Sequence, residues 1–138
     1  MDSSRLLSVV FVGTLLSACG ATRASDQLPN PGQGPADLVA TWVPVDGIDD
    51  LVQLELSRAN ERVLVDKAWS TQFGFEAAWS DGAAGPVLWV QSADIGDIAF
   101  DLAEFPAVRR LDCLHERSEF ELLAASQLPE ALDEVTCR

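Results

Sequence analysis

Apolar and polar residues alternate in several segments in the middle of the chain. In LVQLELS, the apolar Val52, Leu54 and Leu56 alternate with polar side chains. Residues two apart lie on the same face of a strand, so this pattern predicts a strand with one buried face. The same alternation recurs in LVATWV (38–43), VLVDKAW (63–69) and DIAFDL (97–102). Because the connections between these segments are short and polar, we expect an antiparallel sheet.

The clearest hairpin is predicted within residues 68–92, AWSTQFGFEAAWSDGAAGPVLWVQS. Its centre, SDGAAGP, has the composition of a turn. A register centred near Ala84 sets Trp79 directly opposite Trp89, because each lies five residues from that centre.

Near the C-terminus the apolar period changes from two to three and four residues. The residues that follow it are Phe120, Leu123, Ala124, Leu128, Ala131, Leu132 and Val135. This spacing predicts helical faces, with a break at Pro129 and Ser126 as a cap for a second helix. The predicted fold class is therefore α+β, an antiparallel β meander of short strands with one or two C-terminal helices packed on it.

One apolar run near the N-terminus differs from all of these segments. Residues 6–18 are almost entirely apolar or small, and they follow a short start that contains Arg5. As a helix the run would measure about 20 Å, which is less than the roughly 30 Å of a membrane interior. Its length and its small-residue end are typical of a secretory signal peptide. The run ends in Leu16-Ser17-Ala18-Cys19, which resembles the lipobox of bacterial lipoproteins over residues 1–20.

The lipobox resemblance implies cleavage before Cys19 and attachment of lipid to its thiol. Residues 1–18 would then be a cleaved signal peptide, residues 19–37 a lipidated cysteine with a Gly/Pro-rich flexible tether, and residues 38–138 a single small domain. The implied location is the cell membrane or the outer membrane, lipid-anchored and exported to the periplasmic or extracellular face. The alternative is an ordinary signal peptide or an uncleaved helix in which Cys19 is a chance residue.

The two remaining cysteines, Cys113 and Cys137, lie in the C-terminal part of the chain. If lipid occupies Cys19, the cysteine count is even, and export to an oxidising compartment favours a disulfide between these two. The alternative is a zinc site formed by Cys113, His115, Cys137 and either Asp112 or Glu116. The segment DCLHE lacks the paired-ligand spacing of known zinc sites, so we predict a disulfide and no metal site.

The formal net charge is −13 and the chain contains one histidine. Such a charge repels phosphate backbones and anionic lipid surfaces, so we predict no nucleic-acid partner, and we expect membrane contact to come from the lipid. The sequence has no Gly-x-Ser-x-Gly elbow and no Gly-rich phosphate loop. We therefore predict that the protein is not an enzyme and requires no cofactor.

Three tryptophans at ten-residue spacing, Trp69, Trp79 and Trp89, are either ordinary core residues or the lining of a ligand pocket. The segments LVATWVPVDG and FEAAWSDG, with a later cysteine before a helical stretch, resemble the META-like domains of small bacterial lipoproteins. That resemblance implies a small envelope β domain and no reaction. We expect an acidic, non-catalytic interaction domain with an envelope protein partner, or alternatively a small-ligand-binding domain that uses the tryptophans.

Overall fold

The structure is a computed structural model that describes residue 28 and residues 30–137. Within these residues lie eight strands and one α-helix. The strands are β1 (Gly32–Gln33), β2 (Val39–Val45), β3 (Ile48–Arg58), β4 (Glu61–Ser70), β5 (Phe75–Gly82), β6 (Gly85–Ser92), β7 (Gly96–Asp101) and β8 (Arg109–Asp112), and the helix is α1 (Arg117–Gln127). A short 3-10 turn, Pro35–Asp37, precedes β2.

The strands form two four-stranded antiparallel sheets in which sequence neighbours pair. The first sheet has the order β1-β2-β3-β4 and the second β5-β6-β7-β8. The predicted meander with helix is therefore confirmed. The chain leaves the first sheet after Ser70 and enters the second at Phe75, so the segment of the predicted hairpin, residues 68–92, contains the end of β4 as well as β5 and β6.

The main core lies between the two sheets. Val52, Leu54 and Leu56 from β3 are at most 1 % exposed, as their alternation predicts. The second sheet contributes Ile98 and Phe100 from β7, which are buried to the same degree. Burial of apolar side chains from both inner faces is what holds two such sheets together.

A second core covers the outer face of the second sheet. Its buried residues are Val87, Trp89, Ala99, Leu111, Phe120 and Leu132. Helix α1 contributes Phe120, and the C-terminal segment, residues 128–137, contributes Leu132. Because β6 faces one core on each side, all five of its residues from 86 to 90 are buried. The molecule thus has three layers: sheet, sheet, and helix with C-terminal segment.

The hairpin register differs by one position from the predicted one. Gly82 pairs with Gly85 around a two-residue loop, so Trp79 faces Leu88, and Trp89 pairs with Ala78. The turn is centred between Ala83 and Ala84 because Gly82 and Gly85 flank its two loop residues. Gly85 has a φ of 117°, a conformation that favours glycine. Since successive residues point to opposite faces, the shift places Trp79 and Trp89 on opposite faces of the second sheet.

The second predicted helix is not formed. Ser126 lies inside α1, where its hydroxyl donates to the carbonyl oxygens of Leu122 and Leu123 instead of capping a new helix. After Gln127 the chain is irregular apart from a turn closed by the Leu132 N–H on the Pro129 carbonyl oxygen, 3.0 Å apart. Pro129 has no N–H to continue α1, which accounts for the end of the helix.

The N-terminal side of the domain begins before residue 38. Gln33 pairs with Val39 and Gly32 with Ala40, so the last part of the predicted tether already belongs to the first sheet. The Gly and Pro content of residues 19–37 predicts a flexible tether, but composition does not show whether a segment pairs with a neighbouring strand. The predicted signal peptide and Cys19 lie outside the described residues.

Candidate functional site

Cys113 and Cys137 form a disulfide, with their Cα atoms 5.4 Å apart. The bond joins the residue after β8 to the C-terminal segment, and the Arg117 guanidinium donates to the Cys137 carbonyl oxygen at 3.0 Å. The structure thus contains the bond that the cysteine count predicts. Because the two sulfurs are bonded to each other, they are not available as the thiolate ligands that the zinc alternative requires.

Asp112 is the most strongly hydrogen-bonded side chain next to this disulfide. Its carboxylate accepts hydrogen bonds from Arg110 Nε at 2.7 Å and from the backbone N–H groups of Leu114 and His115 at 2.8 and 2.7 Å. His115 Nδ1 lies 3.0 Å from the same carboxylate. Burial by itself would raise the pKa of Asp112, but these hydrogen bonds outweigh it and lower the pKa to about 2.

The Asp112–His115 pair holds the turn between β8 and α1. The His115 side chain is 60 % exposed, whereas that of Asp112 is 7 % exposed. Among the described side chains, Asp112 is the one that hydrogen-bonds to the His115 ring. The arrangement accounts for the turn geometry, including Glu116 with its φ of 56°.

The three tryptophans singled out in the sequence lie in three different environments. Trp69 is fully buried between the sheets, with edge-to-face contacts to Trp42 and Phe100 at centroid distances of 5.3 and 6.1 Å. Trp89 is buried on the other face of the second sheet, and its indole N–H donates to Ser80 Oγ at 2.8 Å. The structure therefore does not bring them together around one pocket.

Trp79 is half-buried and contacts residues that precede the first long strand. Its indole N–H donates to the Pro31 carbonyl oxygen at 3.2 Å. The ring also lies so close to Gly34 that a Cβ atom there would overlap it. Among the three tryptophans, Trp79 thus connects the domain to the chain segment that leads from Cys19.

A cleft of about 480 Å³ opens between the second sheet and the C-terminal segment. Its lining includes Phe75, Glu76, Gln91, Asp97, Asp133 and Glu134, and we call it the acidic cleft. The Gln91 side chain fixes one wall: its amide nitrogen donates to the Asp133 carbonyl oxygen at 2.6 Å, and its oxygen accepts from the Asp133 N–H at 2.8 Å. The Asp133 carboxylate takes no part in this contact.

Charge in the acidic cleft is entirely negative among the described residues that line it. Burial raises the pKa of Asp97; a hydrogen bond with Gln91 lowers it and the nearby Asp133 raises it again. The potential of such a site attracts positive charge, and Asp97 is the carboxylate that burial deprives of part of its hydration. No group of three or more His, Cys, Asp or Glu side chains in the described ranges is placed to hold a metal ion.

The sequence pattern did not reveal the acidic cleft. Its four carboxylates come from β5, from β7 and from the C-terminal segment, at positions 76, 97, 133 and 134. In a chain with 22 acidic residues, no local spacing distinguishes these four from the others. Only their convergence in the folded chain identifies them.

A smaller cavity of about 320 Å³ adjoins the acidic cleft and shares Phe75 and Glu76 with it. Its other lining includes Leu28, Pro31 and Trp42, and we call it the aromatic pocket. The rings of Trp42 and Phe75 meet edge to face at 5.0 Å between centroids.

The described part of the chain contains no helix long and apolar enough to cross a membrane.

Comparison with known proteins identifies no relative for this chain. No protein-family model, no curated protein and no solved structure matches it.

Proposed function

We propose that the chain is an exported lipoprotein, held at the cell membrane or outer membrane by lipid on Cys19, with a non-catalytic interaction domain. The domain presents the acidic cleft to a basic segment of another envelope protein. The observation that carries the proposal is the convergence of Glu76, Asp97, Asp133 and Glu134 around one cleft whose described lining carries no positive charge.

The lipid anchor is supported by Leu16-Ser17-Ala18-Cys19 at the end of the apolar run. Two or more acyl chains hold a protein firmly at a membrane, whereas one holds it only marginally. A surface with the net charge of this chain does not attract anionic lipids. The lipid is therefore the sole proposed membrane contact, and the protein surface remains free to bind a partner.

The basic partner is supported by the electrostatics of the acidic cleft. Asp97 is partly desolvated and close to Asp133, so an incoming lysine or arginine relieves repulsion between them. Complementary charge of this kind chiefly raises the association rate and makes binding sensitive to salt. The two hydrogen bonds between Gln91 and Asp133 tie the C-terminal segment to β6 at one wall of the cleft.

The anchor is tested by intact mass spectrometry of the protein extracted from its own membranes. We expect the mass of residues 19–138 plus acyl groups, lighter by two hydrogens for the disulfide. Cys19→Ala should abolish the acyl mass. A chain that retains residues 1–18, or that starts at or after Cys19 without lipid, would contradict the anchor.

The acidic cleft is tested by calorimetric titration with a lysine-rich decapeptide at low salt. Asp133→Asn/Glu134→Gln should weaken binding about tenfold, because two carboxylates of the cleft are lost. The matched control is Asp49→Asn/Asp66→Asn, which removes two exposed charges outside the cleft and should change affinity less than twofold. If both double variants weakened peptide binding equally, the loss would result from the change in net charge, and a binding site at the cleft would be excluded.

A second candidate function is binding of a small apolar molecule in the aromatic pocket. The observation that favours it is a cavity of about 320 Å³ beside the Trp42 and Phe75 rings, which is within the size range of small-ligand sites. We expect N-phenyl-1-naphthylamine to gain fluorescence with the wild-type protein. Ala77→Leu, which fills the pocket, should abolish the gain, and Ala83→Leu on the exposed hairpin loop should not.

A further inference from the structure

Residues 30–34, which we call the strap, lie across the end of the first sheet next to the aromatic pocket. Asn30 Oδ1 accepts a hydrogen bond from the Trp42 N–H at 2.9 Å. The Pro31 carbonyl oxygen accepts one from the Trp79 indole at 3.2 Å, and the Gly34 N–H donates to the Leu38 carbonyl oxygen at 2.8 Å. The strap thus contacts both sheets, since Trp42 lies in β2 and Trp79 in β5.

Two glycines make this position of the strap possible. Gly32 has a φ of 71°, which favours glycine. Gly34 lies directly against the Trp79 ring, where any other residue would place its Cβ inside the indole. Gly34 therefore permits the backbone of the strap to approach the Trp79 ring closely.

The contact is small compared with the rest of the fold. β1 has two residues, and the strap side chains are half-buried or exposed. Segments with few buried contacts open at a fraction of the free energy that unfolds the domain. Release of the strap therefore leaves the buried residues of both cores in place and detaches only the partly buried Leu28 from the main core.

We propose that the strap is a latch whose docking sets how far the domain stands from the membrane. This inference rests on the proposed lipid anchor at Cys19. With the strap docked, Leu28 packs against the main core as well, so nine residue steps (28 − 19) join the anchor to the domain, a reach of at most about 30 Å. With the strap released, nineteen steps (38 − 19) extend the limit to about 65 Å.

The latch also determines which end of the domain is near the membrane. The strap enters beside the aromatic pocket, and that pocket shares Phe75 and Glu76 with the acidic cleft. A docked strap therefore keeps the acidic cleft on the side of the domain closest to the anchor. The partner that this geometry fits is a basic segment close to the same membrane, and release gives access to partners farther away.

The test compares Gly34→Ala with Gly74→Ala in the full lipidated chain. At Gly34 a Cβ atom collides with Trp79, whereas at Gly74 nothing lies within 4 Å. In hydrogen exchange, we expect the Trp42 amide, which donates to Asn30, to lose protection at least tenfold in Gly34→Ala and to remain unchanged in Gly74→Ala. Retention of wild-type protection in Gly34→Ala would overturn the latch.

The distance between the domain and the membrane is then measured by neutron reflectometry on a supported phosphatidylethanolamine/phosphatidylglycerol bilayer. In Gly34→Ala we expect the protein layer to move away from the bilayer by about 7 Å and to broaden. This shift is the difference in mean end-to-end distance between flexible chains of nine and nineteen steps. Loss of amide protection without any change in the layer would overturn the claim that the strap sets stand-off. Intact mass measured beforehand reports the lipid, so failure of the anchor is recognised separately from failure of the latch.

Discussion

At the scale of single residues, Asp112 shows how one buried carboxylate organises a turn. Its oxygens accept hydrogen bonds from the side chain of Arg110, two residues before it, and from two backbone N–H groups after it. The turn leads directly from β8 to α1 and carries Cys113. A carboxylate with this many donors is stabilised in its charged form, which accounts for its low pKa.

Asp112→Asn should therefore lower stability in a pH-dependent way. The folded pKa of Asp112, about 2, lies below its ordinary value of 3.8, so its contribution is present above pH 3.8 and is lost as the pH falls toward 2. The difference corresponds to about 2 kcal/mol at neutral pH. Urea denaturation followed by tryptophan fluorescence should show this loss in Asp112→Asn at pH 7 and a smaller difference from wild type at pH 2.

The exposed Asp66→Asn serves as the control and should follow the wild-type profile. A constant difference between Asp112→Asn and wild type from pH 7 to pH 2 would show that the carboxylate contributes by shape and not by charge.

At the scale of elements, α1 is held by one large side chain. Phe120 is fully buried and packs on Trp89 with ring centroids 6.1 Å apart. Two positions farther along the same helix, Leu122 is 72 % exposed. The intrinsic helix propensities of Phe and Leu differ by less than about 0.7 kcal/mol, so a larger difference between the two substitutions reports packing.

Phe120→Ala should lower the free energy of unfolding by about 3–5 kcal/mol, because it leaves a cavity in the second core. Leu122→Ala should change it by less than about 0.5 kcal/mol, because little of that side chain is buried. Urea denaturation of both variants is the measurement. Similar losses in the two variants would mean that α1 is not docked through Phe120.

At the scale of the whole molecule, the disulfide closes a 25-residue loop (137 − 113 + 1) that includes α1 and the C-terminal segment. That segment supplies Leu132 to the second core and Asp133 and Glu134 to the acidic cleft. One covalent bond thus maintains both a layer of the fold and a wall of the candidate site.

Cys113→Ser/Cys137→Ser should lower the free energy of unfolding by about 3–4 kcal/mol through the larger entropy of the open unfolded chain. Hydrogen exchange at the Asp133 amide, which donates to Gln91, should accelerate as well. The same two quantities, the free energy of unfolding and the exchange rate of the Asp133 amide, are also measured in the wild-type protein with and without a thiol reductant. If the reduced protein keeps its stability and its Asp133 protection, the second core alone retains the C-terminal segment.

Patterns confined to one element were predictable from the sequence. The buried face of β3 followed from period-two alternation, and Phe120 followed from helical spacing. In β7 the alternation predicted Ile98 and Phe100 but not Ala99, which is buried on the opposite face in the second core. Of the one or two predicted helices the structure contains one; it ends before Pro129, where the break was predicted, and the apolar positions beyond Pro129 pack as an irregular segment. Periodicity reports which positions are buried, but an irregular chain buries residues at similar intervals.

The sequence by itself determined the buried face of β3, the helix around Phe120 and the pairing of the two downstream cysteines, because each depends on neighbouring residues or on a count. The lipobox at Cys19 stays a prediction. The tertiary structure alone decided the hairpin register, the separation of the three tryptophans, the docking of the strap and the assembly of the acidic cleft. These features depend on contacts between residues far apart in the chain. A shift of one position in such a contact reverses which face a side chain occupies.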